Sequence, residues 1–243
     1  MRILVVSDIH ANLVALESVL ADAGEIDEVW NLGDTVGYGP RPRECIARTQ
    51  SINAAPALAG NHDLAAVARI ELSSFNPTAR IAAEWTGQHL DAAQRTYIES
   101  LPSIVEHGDV TLAHGSPRSP VWEYVTTDDV ANENFDYFSS PVCLIGHSHV
   151  ACYAERKTDT TSAELYLMGD RTVLDLSVGR WLINPGSVGQ PRDRDPRAAY
   201  AVIETDRATL TGHRVPYDVA ATQRQMAAVD LPESLIRRLT FGI

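Results

Sequence analysis

The sequence predicts an α/β sandwich, and three features predict it. Short apolar runs alternate with helical patterns up to about residue 150, strand-like runs follow one another directly after it, and the early runs each end in polar side chains able to bind metal. The run at 3–6 leads to Asp8 and His10. Asn12 suits the cap of a helix that places Leu13, Leu16, Val19 and Leu20 on one face. The run at 29–33 precedes Asp34, and the run at 56–60 precedes Asn61, His62 and Asp63. Asn76, followed by Pro77 at a first helical position, opens a helix over 77–90, and another spans 92–101. The runs at 110–113 and 142–146 precede His114 and the pair His147 and His149. Continuous apolar runs bounded by turn residues suit strands buried on both faces, and their alternation with helices predicts a largely parallel sheet. Ligands bind such sheets beyond the carboxyl ends of the strands, where all five polar clusters fall.

After residue 150 the segments 164–168, 172–176, 180–183, 199–203 and 209–215 predict a second, mainly antiparallel sheet packed on the first, with helices outside. The tail reads as a helix capped by Asp230, with Glu233 three residues on and Leu231, Leu235 and Leu239 sharing a face. No repeat, low-complexity segment or flexible linker interrupts residues 1–243, so a single domain is expected.

Composition narrows the function classes. A hydrophobic share of 44% and a charged share of 21% are ordinary for a soluble globular chain. No apolar run approaches membrane-spanning length, and the first run is too short for the core of a signal peptide. Cys45, Cys143 and Cys152 are odd in number and lack zinc-ribbon spacing. Cys143 lies inside an apolar run and reads as a buried reduced thiol, so a cytoplasmic setting is expected. With 20 basic against 32 acidic residues the net charge is −12, which argues against general nucleic-acid binding. A phosphate substrate stays open, because bound cations invert the local field.

Asp8 and His10 are two apart, and on an extended segment their side chains point the same way. Asp34 offers two oxygens, enough to bridge two cations, and Asn61 adds a carbonyl oxygen. His114, His147 and His149 add imidazoles, with Ser148 as the spacer within the last pair. Nitrogen and oxygen donors without thiolate favour divalent Mn, Fe, Co or Zn over Ca or Mg. Each feature alone reads as a turn or a core histidine. Five in order, each at the end of a predicted strand, read as a site for two divalent transition-metal ions.

Asp8-Ile9-His10, Gly33-Asp34, Gly60-Asn61-His62-Asp63, His114-Gly115 and Gly146-His147-Ser148-His149 resemble, in order and type, the signature of calcineurin-like metallophosphoesterases. Asn184-Pro185-Gly186-Ser187-Val188 resembles a further block of the bacterial branch. The resemblance implies a four-layer αββα sandwich of two mixed β-sheets with outer helices and a dinuclear centre. It assigns one metal to Asp8, His10, Asp34 and His149, and the other to Asp34, Asn61, His114 and His147. A shared hydroxide would attack phosphorus in line with the leaving oxygen, with His62, which matches the family's catalytic histidine, as general acid. Asp63 reads as a cap for the following helix. Protein serine/threonine phosphatases of the family carry an aspartate three residues after the bridging one; here Gly37 stands there, which disfavours phosphoprotein substrates and leaves His62 without an orienting partner. Arg41, Arg118 and Arg192 lie in Pro-containing loops beside the ligands and are candidate phosphate contacts. Trp122 and Tyr124 could stack a base, although packing is the plainer reading. The expected activity is hydrolysis of a small phosphodiester or phosphomonoester. The alternatives are a dinucleoside-polyphosphate hydrolase, a protein phosphatase, or a non-catalytic scaffold of the same fold.

Overall fold

In the computed structural model, which describes residues 1–158 and 162–243, the chain runs β1 (Arg2–Val6), α1 (Leu13–Ala23), β2 (Glu28–Asn31), α2 (Pro42–Ser51), α3 (Asn61–Ala66), α4 (Pro77–His89), α5 (Ala92–Ser100), β3 (Ile104–His107), β4 (Val110–Ala113), α6 (Asp128–Asn134), β5 (Val142–Leu144) and β6 (Cys152–Arg156). It continues through β7 (Leu165–Leu167), β8 (Val173–Asp175), β9 (Arg180–Asn184), β10 (Ala198–Glu204), β11 (Thr209–Val215), α7 (Val219–Ala227) and α8 (Glu233–Arg238).

The strands form two mixed sheets, ordered β2-β1-β10-β11-β8 and β3-β4-β5-β9-β6-β7. Three apolar seams hold the layers together, and strand alternation feeds two of them at once. Ile3 and Val5 point between the sheets, toward Leu112, Leu144 and Ile183. Leu4 and Val6 point outward under Leu16 and Val19 of α1. Likewise Val142 and Leu144 face the inner seam, whereas Cys143 and Ile145 pack outward with Phe135 and Phe138. Full burial of a side chain such as Leu4 is worth about 1.5–3 kcal/mol. Helix starts follow local chemistry. Asn12 accepts the Ala15 N–H at 3.2 Å and Asn76 accepts that of Ala79 at 3.0 Å. Asp91 and Gln94 form a capping box at α5.

The partition of strands differs from the sequence expectation. The early strands do not share one parallel sheet: β1 and β2 pair in parallel in one sheet, and β4 and β5 pair in parallel in the other. The late strands divide too. β10 inserts antiparallel beside β1, while β9 pairs parallel with β5 and antiparallel with β6. Long-range pairing with β10 and β9 satisfies edges that neighbouring strands in sequence would have left open. Residues 56–60 form no strand, only a single bridge between Asn31 and Ala57. The last helix begins at Glu233 after Pro232 rather than on an Asp230 cap, because Asp230 has a left-handed backbone (φ 55°). Leu231, Leu235 and Leu239 do share a buried face, packed on Tyr38 and Met226. Among the described residues no helix is long and apolar enough to cross a membrane.

Candidate metal centre

The loops after β1 and β2 are tied together by backbone bonds from Asp8 N–H to Gly33 O, His10 N–H to Asp34 O and Ala11 N–H to Thr35 O, at 2.9–3.0 Å. Here the expectation of an extended Asp8–His10 segment fails. Asp8, His10, Asp34, His147 and His149 all take positive φ, between 49° and 63°. That conformation is uncommon for side chains other than glycine and costs of the order of 1–3 kcal/mol per residue. It bends each loop inward at the residue that bears the donor, so side-chain convergence comes from a turn rather than from strand alternation.

Two groups of donors result, with Asp34 common to both. Asp8, His10, Asp34 and His149 form one, and Asp34, His114 and His147 the other; within each group the donor atoms lie within 4.8 Å of one another. His149 Nε2 lies 3.3 Å from Asp8 Oδ1, and His10 Nε2 lies 3.6 Å from Asp34 Oδ2. On the other side His114 Nε2 lies 3.5 Å from Asp34 Oδ2 and 3.3 Å from Asn61 Oδ1. All seven side chains are buried.

Ring orientation is set from behind. His10 Nδ1 bonds Val36 O at 3.1 Å, His114 Nδ1 bonds Leu32 O at 2.9 Å and His149 Nδ1 bonds Gln190 O at 2.6 Å. A carbonyl accepts, so each Nδ1 carries a proton and each Nε2 points inward, presenting a lone pair on His10 and His149 and, without a cation, a proton toward Asp34 on His114. His147 is turned the other way: Nε2 bonds Trp122 O at 3.2 Å, which leaves Nδ1 for the site. The carboxylates are held half-satisfied. Asp8 Oδ2 accepts from Ser7 Oγ at 2.6 Å and His147 N–H at 3.1 Å, while Asp34 Oδ1 accepts the His62 N–H at 2.8 Å. Asp8 Oδ1 and Asp34 Oδ2 are buried with no hydrogen-bond partner.

Those two oxygens and the facing lone pairs test the fit of a cation. His10 Nε2 and His149 Nε2 stand 3.0 Å apart. Burial holds both rings well below the usual imidazole pKa, so neither carries the second proton that a bond between them would need. An orphaned carboxylate oxygen and two opposed lone pairs are each costly in a buried place. A divalent cation relieves both, and the donor set suits one.

His62 sits at the edge of this cluster. Its ring lies against Tyr38 at a 45° tilt (centroids 4.2 Å apart) and meets Phe75 edge-on at 5.0 Å, and its Nδ1 is buried without a partner. Burial lowers its pKa to about 4 against the pull of Asp34. Gly37 explains the missing orienting carboxylate. Its φ is +91°, and a Cβ there would stand 2.8 Å from the His62 ring. The space an aspartate would need is filled by the histidine itself. Gly60 has a comparable reason to lack a side chain, since one would overlap the Asp34 carboxylate. Asp63, the third residue of α3, accepts from Gly60, Thr35 and Val36 N–H at 3.0–3.2 Å and so clasps the Asp34 loop as well as its own helix start.

The three candidate arginines separate. Arg192 lies at the site, its guanidinium 5.7 Å from the Tyr38 ring centre and bonded to Tyr38 Oη at 3.3 Å. Arg118 is engaged by Glu123 and Glu133, and exposed Arg41 pairs with Glu44 and Gln225. Three further residues, given no role by the sequence, contribute. Tyr38 lies edge-on to His10 (4.7 Å) as well as against His62. Asn184 donates to Gly146 O at 2.6 Å and Ser148 Oγ at 3.0 Å, while Ser187 Oγ donates to Asp8 O at 2.8 Å, so the block at 184–188 clasps both donor loops from beneath. Tyr124 stacks on His147 at 4.1 Å, which favours packing, yet remains 48% exposed.

Residues 1–208 match the calcineurin-like phosphoesterase superfamily domain. The fold superposes on the crystal structure of a metallophosphoesterase from Sphaerobacter thermophilus with a TM-score of 0.92 at 50% identity, over 100% of this chain and 99% of that one. An uncharacterized protein of Methanocaldococcus jannaschii is 34% identical over 99% of this chain and 98% of its own. A symmetrical bis(5'-nucleosyl)-tetraphosphatase of Vibrio cholerae is 28% identical over 56% of this chain and 52% of its own length.

Proposed function

Because the chain belongs to the calcineurin-like phosphoesterase superfamily, we propose that it hydrolyses small phosphate esters, diesters or monoesters, with the aid of two divalent transition-metal ions. The observation that carries this reading is the pair of orphaned oxygens, Asp8 Oδ1 and Asp34 Oδ2, set among inward-facing imidazole nitrogens. One ion would be held by Asp8, His10, Asp34 and His149, the other by Asp34, Asn61, His114 and His147. When bound, such ions supply an acidified water and offset negative charge on the transferring phosphoryl group.

The chain's own residues do the rest. Ser7 and the His147 amide fix the rotation of Asp8, and the Val36, Leu32 and Gln190 carbonyls hold the histidine tautomers, so the donors need no rearrangement. His62 is the general acid. Its Nδ1 is turned toward Gly37, which leaves Nε2 to protonate the leaving oxygen, and an anionic ester beside the ring raises its low pKa toward that task. Arg192 would contact a phosphoryl oxygen. The filled space at Gly37 supports small esters over phosphoproteins.

The test is purified protein reconstituted with Mn, Fe or Zn, its ions counted by elemental analysis and located by anomalous scattering, and assayed on bis- and mono-nitrophenyl phosphate beside a phosphopeptide panel. Two ions flanking Asp34 and turnover of the small esters are expected, with both ions or their coupling lost in Asp34→Ala. A single ion at full loading, or a strong preference for phosphopeptides, would overturn the reading.

A further inference from the structure

The loop that leads from His114 at the end of β4 toward α6 is braced from within by one carboxylate. Glu123 accepts from Ser116 Oγ and Asn134 Nδ2, each at 2.7 Å, and from Arg118 Nε at 3.0 Å. Gly115 N–H donates to Pro120 O at 2.7 Å, and Val125 is buried in the seam that holds Phe135 and Ile145. With Glu123 and Val125 held inward, their neighbours turn outward: Trp122 is 38% exposed and Tyr124 is 48% exposed.

Both outward residues stand at the edge of the donor site. The Trp122 carbonyl accepts the His147 Nε2 proton at 3.2 Å, and Tyr124 stacks on that same imidazole. The Trp122 ring meets half-buried Phe75 edge-on, with centroids 5.4 Å apart, and Phe75 in turn meets His62 at 5.0 Å. An unbroken row of rings therefore runs from Tyr38 through His62 and Phe75 to Trp122, and the chain returns to the donors at Tyr124. The other tryptophans are spent on packing: Trp30 and Trp181 lie in the inner seam, and Trp85 stacks on His89 at 4.0 Å. Of the four, only Trp122 is exposed. An indole fixed in place by a braced loop leaves apolar surface in water, and a flat ring laid on it removes that surface from solvent at little cost in side-chain freedom.

We propose that Trp122, with Phe75, is a specificity residue that receives a flat aromatic ring carried by the leaving group of the substrate, an aryl group or a nucleobase. The proposal rests on the phosphoesterase reading above, in which His62 protonates the leaving oxygen. The leaving group then lies beside His62, and the rings that follow His62 outward are Phe75 and Trp122. Contact with a remote ring adds binding energy that the phosphoryl group alone does not offer, so esters with a flat ring bind better than their counterparts without one.

Binding of non-hydrolysable probes separates this proposal from the activity. Calorimetry on the full chain, at equal metal content in wild type, Trp122→Ala and Trp122→Phe, would compare two pairs that differ in the flat ring. One pair is benzylphosphonate and cyclohexylmethylphosphonate; the other is the methylenephosphonate analogues of adenosine 5'-phosphate and ribose 5-phosphate. Wild type should bind the flat-ringed member of at least one pair the more tightly, the first pair answering for an aryl group and the second for a base. Trp122→Ala should weaken that member about 5- to 100-fold, the scale of a lost stacking contact, with a clearly smaller loss for its counterpart, and Trp122→Phe should keep most of the preference. No preference in either pair in wild type, or equal losses for both members in Trp122→Ala, overturns the proposal. Failure of the metal-loaded wild type to cleave nitrophenyl esters, with the binding preference intact, would instead overturn the phosphoesterase reading.

Discussion

Raising the pH over ion-free protein probes the pairing of Asp34 with His114. Burial by itself would strip the His114 proton, but the Asp34 charge, with Oδ2 3.5 Å from Nε2, outweighs it and raises the pKa to about 9. In the unfolded chain the same ring titrates near 6.5. A group whose folded pKa is raised stabilises the fold fully below its unfolded value and loses that contribution as pH climbs through the folded one. The window is thus about pH 6.5 to 9, and the gap, at about 1.4 kcal/mol per pH unit, gives on the order of 3 kcal/mol. His62 and His147, lowered by burial to about 4 and about 3, titrate below the window, whereas Asp63, raised by burial to about 7, titrates at its acid edge, so the His114 loss is read on the alkaline side of it. Urea unfolding in chelator from pH 6 to 9.5 should show the loss, and Asp34→Asn should flatten it. Because a cation competes with that proton, metal uptake at pH 7 should also release about one proton per chain, measurable by calorimetry in buffers of different ionisation enthalpy. A stability unchanged across the window, with no proton released, would refute the pairing.

Three further outcomes are expected. His62→Ala should lose roughly 10²–10⁴-fold in kcat on alkyl esters and noticeably less on nitrophenyl esters, with both ions retained; kcat plotted against leaving-group pKa checks this, and parallel lines for mutant and wild type count against the general acid. Gly37→Asp should not create a catalytic dyad but crowd the His62 ring, costing about 1–3 kcal/mol in urea unfolding and lowering kcat; equal stability with undiminished kcat would contradict the steric account. Cys45, Cys143 and Cys152 are buried, and burial raises all three thiol pKa values, so a disulfide reagent should titrate no thiol in the native chain and three after denaturation.

Much of the site was legible in sequence because each donor follows an apolar run and a turn: Asp8 after 3–6, His114 after 110–113, His147 after 142–146. That grammar is local. Which sheet a run joins is not, since β1 and β4 read alike and are separated only by the insertion of β10 beside one and the pairing of β4 with β5 in the other. The left-handed backbone at Asp8 and His10 was also hidden, as neither residue is the glycine that announces such a turn. Arg118 might have been set aside from sequence, because Glu123 stands five residues on and Glu133 fifteen, both of which it meets. For Arg192 the sequence misleads the other way, since Asp193 and Asp195 stand beside it in the chain, yet the fold pairs them with Arg214 and Arg197.

The division of strands has a mechanical consequence. Asp8, His10 and Asp34 hang from the sheet containing β1 and β2, whereas His114, His147 and His149 hang from the sheet containing β4 and β5. Any ion gripping both sets rivets the two halves of the sandwich across the layer they share. Since a displacement of about 1 Å can cost a positioned site a hundredfold in rate, the greasy inner seam acts as an alignment gauge for the chemistry above it. A residue such as Leu112 or Ile183, far from phosphorus and buried on that seam, sets how well the donors meet.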